Sequence, residues 1–233
     1  MKTPASLAFL MLATGSALAA PRPVVVELFT SLGCSDCPPA DSMLANVRDR
    51  VPGVLVLDMH VTYWNNLSWR DPYSLSEVDQ RQKDYAALRG GQQVYTPEAF
   101  VDGQQPFIGS DARAMAAALN KARASVAADP GVSVTIGSSA HNITVQVGPG
   151  SGKGVVWLFG FDPEHSTRVH GGENAGATIK EVNVVRSITR LGKWRGQPLQ
   201  LGTRAPPGSD FAVILQGPDG TVLGAASSRT PAA

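Results

Sequence analysis

Residues 23–41 read PVVVELFTSLGCSDCPPAD, and the reading of the fold turns on them. Val24, Val25 and Val26 open a β-branched apolar run that continues to Thr30, the composition of a strand buried on both faces. Cys34 and Cys37, the only two cysteines of the chain, follow at once. Ala40, Met43, Leu44, Val47 and Val51 then recur at helical spacing until Val51-Pro52-Gly53 ends the pattern. Residues 54–61, VLVLDMHV, form a second buried strand. Strand, helix, strand predicts a βαβ unit with parallel strands and a right-handed crossover. Cys34 and Cys37 then share one sheet edge with His60, Tyr63 and Trp64, the edge where α/β folds build their sites.

Working outward, 68–88 are polar and helical, interrupted by Pro72 and ended by Gly90-Gly91. VYTPEAFVDGQQPFIGS, 94–110, predicts two short strands turning at Asp102-Gly103. Ser110 or Asp111 caps an Ala-rich helix from Ala112 to Ala127. Beyond Gly131 the composition changes to short apolar segments punctuated by Gly and Pro, the pattern of an antiparallel sandwich or barrel. We therefore expect an α/β domain over 20–128 and a mainly antiparallel, sandwich-like β domain over 129–233.

Residues 1–19 combine Lys2, an apolar run from Leu7 to Ala13 and the triplet Ala17-Leu18-Ala19, the build of a secretory signal cleaved after Ala19. Export implies a periplasmic or secreted protein with no membrane span after cleavage, and an oxidising compartment in which a disulfide persists. The formal charge of +1 comes without a Lys/Arg run, which argues against nucleic acid as partner.

A Cys-x-x-Cys at a helix start supports three readings. In the first, preferred here, Cys34 is the attacking thiol, its thiolate favoured by the helix dipole and free backbone N–H groups, and Cys37 resolves the mixed disulfide. Asp36 opposes a thiolate if its charge lies close. Pro38 suits the first helical position, which makes Cys37 the capping residue and leaves Cys34 in the preceding loop. The second reading is an inert disulfide in a non-catalytic envelope interaction protein, although so short a loop adds little loop-closure stabilisation. The third is a metal site of Cys34, Cys37 and His60, suited to Cu(I) or zinc. Tyr63, Trp64 and Trp69 stand ready to wall a peptide groove, with Trp69 better read as burying its own segment. Gly171-Gly172-Glu173-Asn174, flanked by His165 and His170, reads as a turn. Glu77, Asp79, Arg81 and Lys83 read as a solvated helix face.

Cys34-Ser35-Asp36-Cys37 with the downstream Thr96-Pro97 resembles the thioredoxin-like superfamily. The resemblance implies that Pro97 is cis beside the cysteines and that Thr96 offers backbone groups to a substrate strand. Gly33 stands where that superfamily usually carries Trp, which changes the substrate-facing surface. A narrower resemblance covers nearly the whole mature chain. VVVELFTSLGCSDCPPAD, HVTYW, VYTPEAFVDG and GGENAG with NVVRSITRLGKW are similar to a family of secreted thioredoxin-like proteins of unknown function. Together these readings imply thiol–disulfide exchange with a protein or peptide thiol. Cys34 and Cys37 are the catalytic pair, Thr96, Pro97, Tyr63 and Trp64 the docking residues, and a separate redox partner recycles the pair. No cofactor is expected for that chemistry.

Overall fold

The computed structural model describes residues 21–65, 69–139 and 141–229; the expected signal lies outside them. β1 (Val24–Thr30) and β2 (Val54–His60) are buried at every position, as their mainly apolar composition predicts, and Glu27, Asp58 and His60 are buried with them. They pair in parallel from Val24 opposite Val54 to Thr30 opposite His60, so both strands end on one edge. α1 (Pro38–Arg50) makes the crossover. Proline stands at its start, where a missing N–H costs nothing, and Arg48 and Arg50 complement its negative end.

α2 (Ser76–Leu88) leads to β3 (Glu98–Val101), which runs antiparallel to β1, and to β4 (Phe107–Ile108). Asp102 and Gly103 both take positive φ in the turn between them. A Cβ on Gly103 would lie 2.0 Å from the Gly220 carbonyl oxygen, so only glycine fits this approach. α3 (Ala112–Ala128) starts at Asp111, whose side chain accepts from the Arg113 and Ala114 N–H groups.

β5 (Val134–Ser138), β6 (Asn142–Val147), β7 (Gly154–Arg168), β8 (Thr178–Trp194), β9 (Leu199–Arg204), β10 (Asp210–Gln216) and β11 (Val222–Ser227) complete the chain. One sheet runs β11-β10-β7-β8-β2-β1-β3-β4, and a second runs β5-β6-β9. The larger sheet thus crosses the boundary expected at residue 129. At the seam, β2 and β8 pair at the single register position Asp58–Val184.

The pleat sends alternate residues to opposite faces. Val24, Val26, Leu28, Val54 and Val56 pack on α1 and α3 through Leu44, Val47, Met115 and Leu119. Val25, Phe29, Leu55, Leu57 and Met59 face Val78 and Tyr85 of α2 and join Phe159, Phe161 and Ile214. The smaller sheet closes a third core, with Ile143 and Val145 against Leu158, Val213 and Trp194.

The solvated face expected on α2 is corrected at two positions. Arg81 is buried, its guanidinium paired with both carboxylate oxygens of Glu27 and set among the rings of Tyr85, Trp157 and Phe159. Asp79 accepts the Thr62 N–H at 2.7 Å. Glu27 lies on the α2 face of β1 and demands a cation there, which a charge pattern read along one helix does not reveal.

Candidate functional site

The cysteine loop opens β1 into α1. Cys37 adopts helical φ/ψ of −79° and −40° although Pro38 follows it, and its carbonyl accepts the Ala40 and Asp41 N–H groups. The helix therefore begins where the prolines suggested, but its cap residue is already helical. Both cysteines are reduced and buried, Cys34 2% exposed and Cys37 wholly enclosed.

The two sulfurs differ in chemistry. The Cys37 side chain donates to Cys34, and this bond is the main cause that brings the Cys34 thiol down from 9.0 to about 7, against the cost of burial. The Thr96 side chain and the backbone N–H groups of Asp36 and Cys37 add to it. Asp36 thus contributes an amide, while its side chain points to solvent. Cys37 moves the opposite way: burial, then the neighbouring Cys34 sulfur, push its thiol up.

Thr96-Pro97 is a cis bond. The Cys34 sulfur lies 3.9 Å from the Thr96 carbonyl oxygen. The Trp64 indole N–H donates to the Thr96 hydroxyl at 2.7 Å. Tyr63 donates to Gln82 Oε1 at 3.2 Å, and Gln82 donates to the Tyr95 carbonyl. The fold thus brings Cys34, Cys37, Trp64, Thr96 and Pro97 together, with Tyr63 and Tyr95 as exposed aromatic neighbours. Trp69 packs elsewhere, against Leu32, Val169 and Ile179.

The loop 171–174 holds the cysteine loop from the far end of the chain. The Glu173 carboxylate accepts from the Ser35 N–H at 2.9 Å and the Ser35 hydroxyl at 2.7 Å. The Glu173 N–H donates to the Gly33 carbonyl, and the Asn174 amide donates to the carbonyls of Leu32 and Cys34. Gly172 has φ +73°, and a Cβ there would stand 2.8 Å from Gly33 Cα. The loop thus packs on the Gly33 backbone, while the space where a side chain at Gly33 would stand faces Ser31 and Trp64. His165 bonds Asp162, and His170 is exposed.

Behind the cysteines lies a buried polar layer. Asp41, on α1, accepts from the Thr30 hydroxyl at 2.8 Å; burial and the nearby Glu181 push its carboxyl up to about 8. His60 sets Nδ1 2.8 Å from Asp71 Oδ2 and Nε2 3.1 Å from Glu181 Oε1. Burial alone would make His60 less basic, but the two carboxylates override it and raise its pKa well above the ordinary value. Asp58 sits beside them, its carboxyl raised first by burial and then by Asp41. Asp71 also accepts the Leu32 N–H at 2.9 Å, linking this layer to the cysteine loop. Among the described residues, the donor set close enough to share one metal ion is Asp58, His60 and Glu181. His60 is thus gathered with carboxylates, and the expected Cys34–Cys37–His60 set is not assembled.

Sequence reasoning read Glu173 and Asn174 as part of a turn, which they are, but missed their contacts with the cysteine loop and missed the buried acids. Asp58 did carry a signal, since an acid and His60 at alternate positions of an apolar strand place two polar side chains on one buried face. For Glu181 and Glu173 no local signal exists, because their partners lie more than a hundred residues away.

Comparison with known proteins returns the same outline. A protein of Agrobacterium tumefaciens, AGR_C_4864, known from its crystal structure, is 29% identical, with a TM-score of 0.77 over 90% of this chain and 95% of that one. HBP35 of Porphyromonas gingivalis, at 13% identity and a TM-score of 0.61, shares the fold over 91% of this chain and 76% of its own. No curated protein matches the chain. The model of the family described as protein of unknown function (DUF1223) matches residues 25–216, and the chain belongs to that family.

Proposed function

We propose that this protein is an exported thiol–disulfide oxidoreductase with a thioredoxin-like site, acting on protein or peptide thiols through Cys34 and Cys37. One observation carries the reading. Two adjacent thiols sit in different surroundings: the Cys34 sulfur lies 3.9 Å from the Thr96 carbonyl oxygen beside cis Pro97 with its thiol lowered to about 7, and Cys37 is wholly enclosed with its thiol pushed up by burial. An inert pair has no need of that asymmetry, whereas a nucleophile and its resolving partner do.

In the reducing direction, the Cys34 thiolate attacks one sulfur of a substrate disulfide. A Cys34–substrate bond forms and the substrate's second sulfur leaves as a thiolate. Cys37 then loses its proton and attacks Cys34. The Cys34–Cys37 disulfide closes, the substrate is released as a dithiol, and two electrons have passed to it. Thr30 bridges Cys37 and Asp41, which suits this pair to receive the Cys37 proton. The oxidising direction is the same sequence reversed. The Thr96 carbonyl beside the Cys34 sulfur suits an extended substrate strand, and Tyr63, 44% exposed, and Tyr95 supply apolar contact.

A copper-carrier reading requires His60 at the sulfurs, whereas its two ring nitrogens face Asp71 and Glu181. The deciding experiment equilibrates the mature protein in glutathione buffers and counts free thiols. A working oxidoreductase gives a potential between about −120 and −270 mV with fast exchange. A value below about −300 mV with slow exchange marks a structural disulfide and ends the proposal.

A further inference from the structure

Asp58, His60 and Glu181 meet where the two halves of the large sheet join. Asp58 and His60 project from β2 on the face shared with α1, and Glu181 comes from β8. Asp58 and His60 are wholly buried and Glu181 nearly so. Their ligand atoms all lie within 4.8 Å of one another. Donor atoms around one zinc-sized ion stand about 3–4 Å apart, so a small inward adjustment closes a coordination sphere.

Hydrogen bonding among these groups leaves them unsatisfied. Neither oxygen of Asp58 has a hydrogen-bond partner, nor does either oxygen of Glu181. The His60 Nε2 approach to Glu181, although 3.1 Å long, lies off the hydrogen-bonding directions, so Nε2 is orphaned too. An orphaned buried carboxylate is among the costliest groups a fold can carry. Five unpartnered atoms converging from three residues are not incidental.

The tautomer of His60 supplies the direction. Asp71, held in place by the Leu32 and Tyr73 N–H groups, faces Nδ1 at 2.8 Å. With one proton kept on Nδ1, Nε2 is the ring position that either carries a second proton toward the carboxylates or, once that proton leaves, offers its lone pair to a cation held between them. A carboxylate fixing the far nitrogen of a ligating imidazole is the usual outer support of a metal-bound histidine.

We infer that Asp58, His60 and Glu181 form a buried site for a divalent first-row cation of the zinc class, which ties β8 to β2. Two carboxylates balance the charge of a divalent ion, and a set of oxygens with one imidazole suits zinc or manganese in preference to Cu(I). Position supports the role. β2 and β8 pair through the backbone at one register position, Asp58–Val184, so a metal there cross-links the strand pair of the sheet with the fewest paired positions. Enclosure at this depth fits a structural ion taken up as the chain folds. This site does not depend on the redox reading of Cys34 and Cys37.

The test begins with the mature protein purified without chelator and analysed for metals. About one zinc or manganese per chain is expected. A Cys34→Ser, Cys37→Ser variant retains it, which separates this site from the thiols. Protein unfolded with chelator is then refolded with Zn²⁺ alone, Mn²⁺ alone, or chelator. A matching metal raises the melting temperature, and Asp58→Asn and Glu181→Gln abolish the rise. The substitutions also discriminate by sign: if the cluster holds only protons, Asp58→Asn leaves the protein equally or more stable. Wild-type protein that carries no metal and melts identically in all three refolding conditions overturns the inference, whatever the variants do. Loss of the metal in the double-serine variant overturns it equally.

Discussion

Glu173 and Ser35 stand 138 residues apart in the chain, yet the Glu173 carboxylate accepts both the backbone N–H and the hydroxyl of Ser35. Ser35 lies between the two cysteines, so the β7–β8 loop grips the reactive segment at its centre. The bond to Ser35 also holds the Glu173 carboxyl below the usual carboxylate range. Glu173→Ala is expected to raise the rate of Cys34 modification by a small thiol reagent several-fold, with little change in global stability. Stopped-flow modification of the reduced protein measures it. An unchanged rate means that the loop does not limit access.

Gly172→Ala tests the same contact through sterics. Its Cβ meets Gly33 Cα at 2.8 Å from a backbone at φ +73°, so the loop must shift. The variant should match Glu173→Ala in Cys34 reactivity although it removes no side-chain hydrogen bond. Wild-type reactivity in Gly172→Ala with increased reactivity in Glu173→Ala would assign the effect to charge and not to coverage.

Thiolate absorbance of the reduced protein should titrate with a midpoint of about 7, from Cys34 alone. Cys37→Ala removes the largest contribution to that shift and moves the midpoint upward. Thr96→Val removes a smaller one and moves it less in the same direction. The sign for stability follows from linkage. The folded-state value lies below the ordinary 9.0, so Cys34 stabilises the reduced fold fully above about pH 9 and loses that contribution as pH falls through about 7. Urea midpoints of wild type should therefore fall relative to Cys34→Ala between those limits.

Arg81→Ala strands Glu27 in the core, next to the Tyr85 hydroxyl. Loss of one partner of a buried pair costs about 3–5 kcal/mol. Arg81→Lys should recover little of it, because one ammonium cannot reproduce the two-pronged contact with Glu27. Equilibrium unfolding in urea measures both. Full stability in Arg81→Ala would show that the pair adds nothing net to the packing of α2.

Much of this protein is legible locally. An apolar run buried on both faces, a proline at a helix start, Asp111 at a cap and Asp102-Gly103 at a turn each act within a few residues. Strand β1, helices α1 and α3 and the β3–β4 turn follow from such short-range rules. So does the shared edge of Cys34 and Trp64, because parallel strands must end together. Periodicity cannot state which distant strand lies beside β2. That β8 does so, and not another strand of the same composition, depends on the packing of whole sheets. The placement of Glu173 over Ser35, of Glu181 beside His60 and of Arg81 beside Glu27 follows from that choice. Those are electrostatic relationships across long loops, where the partner's identity is set by three-dimensional proximity and leaves no trace in the spacing of residues along the chain.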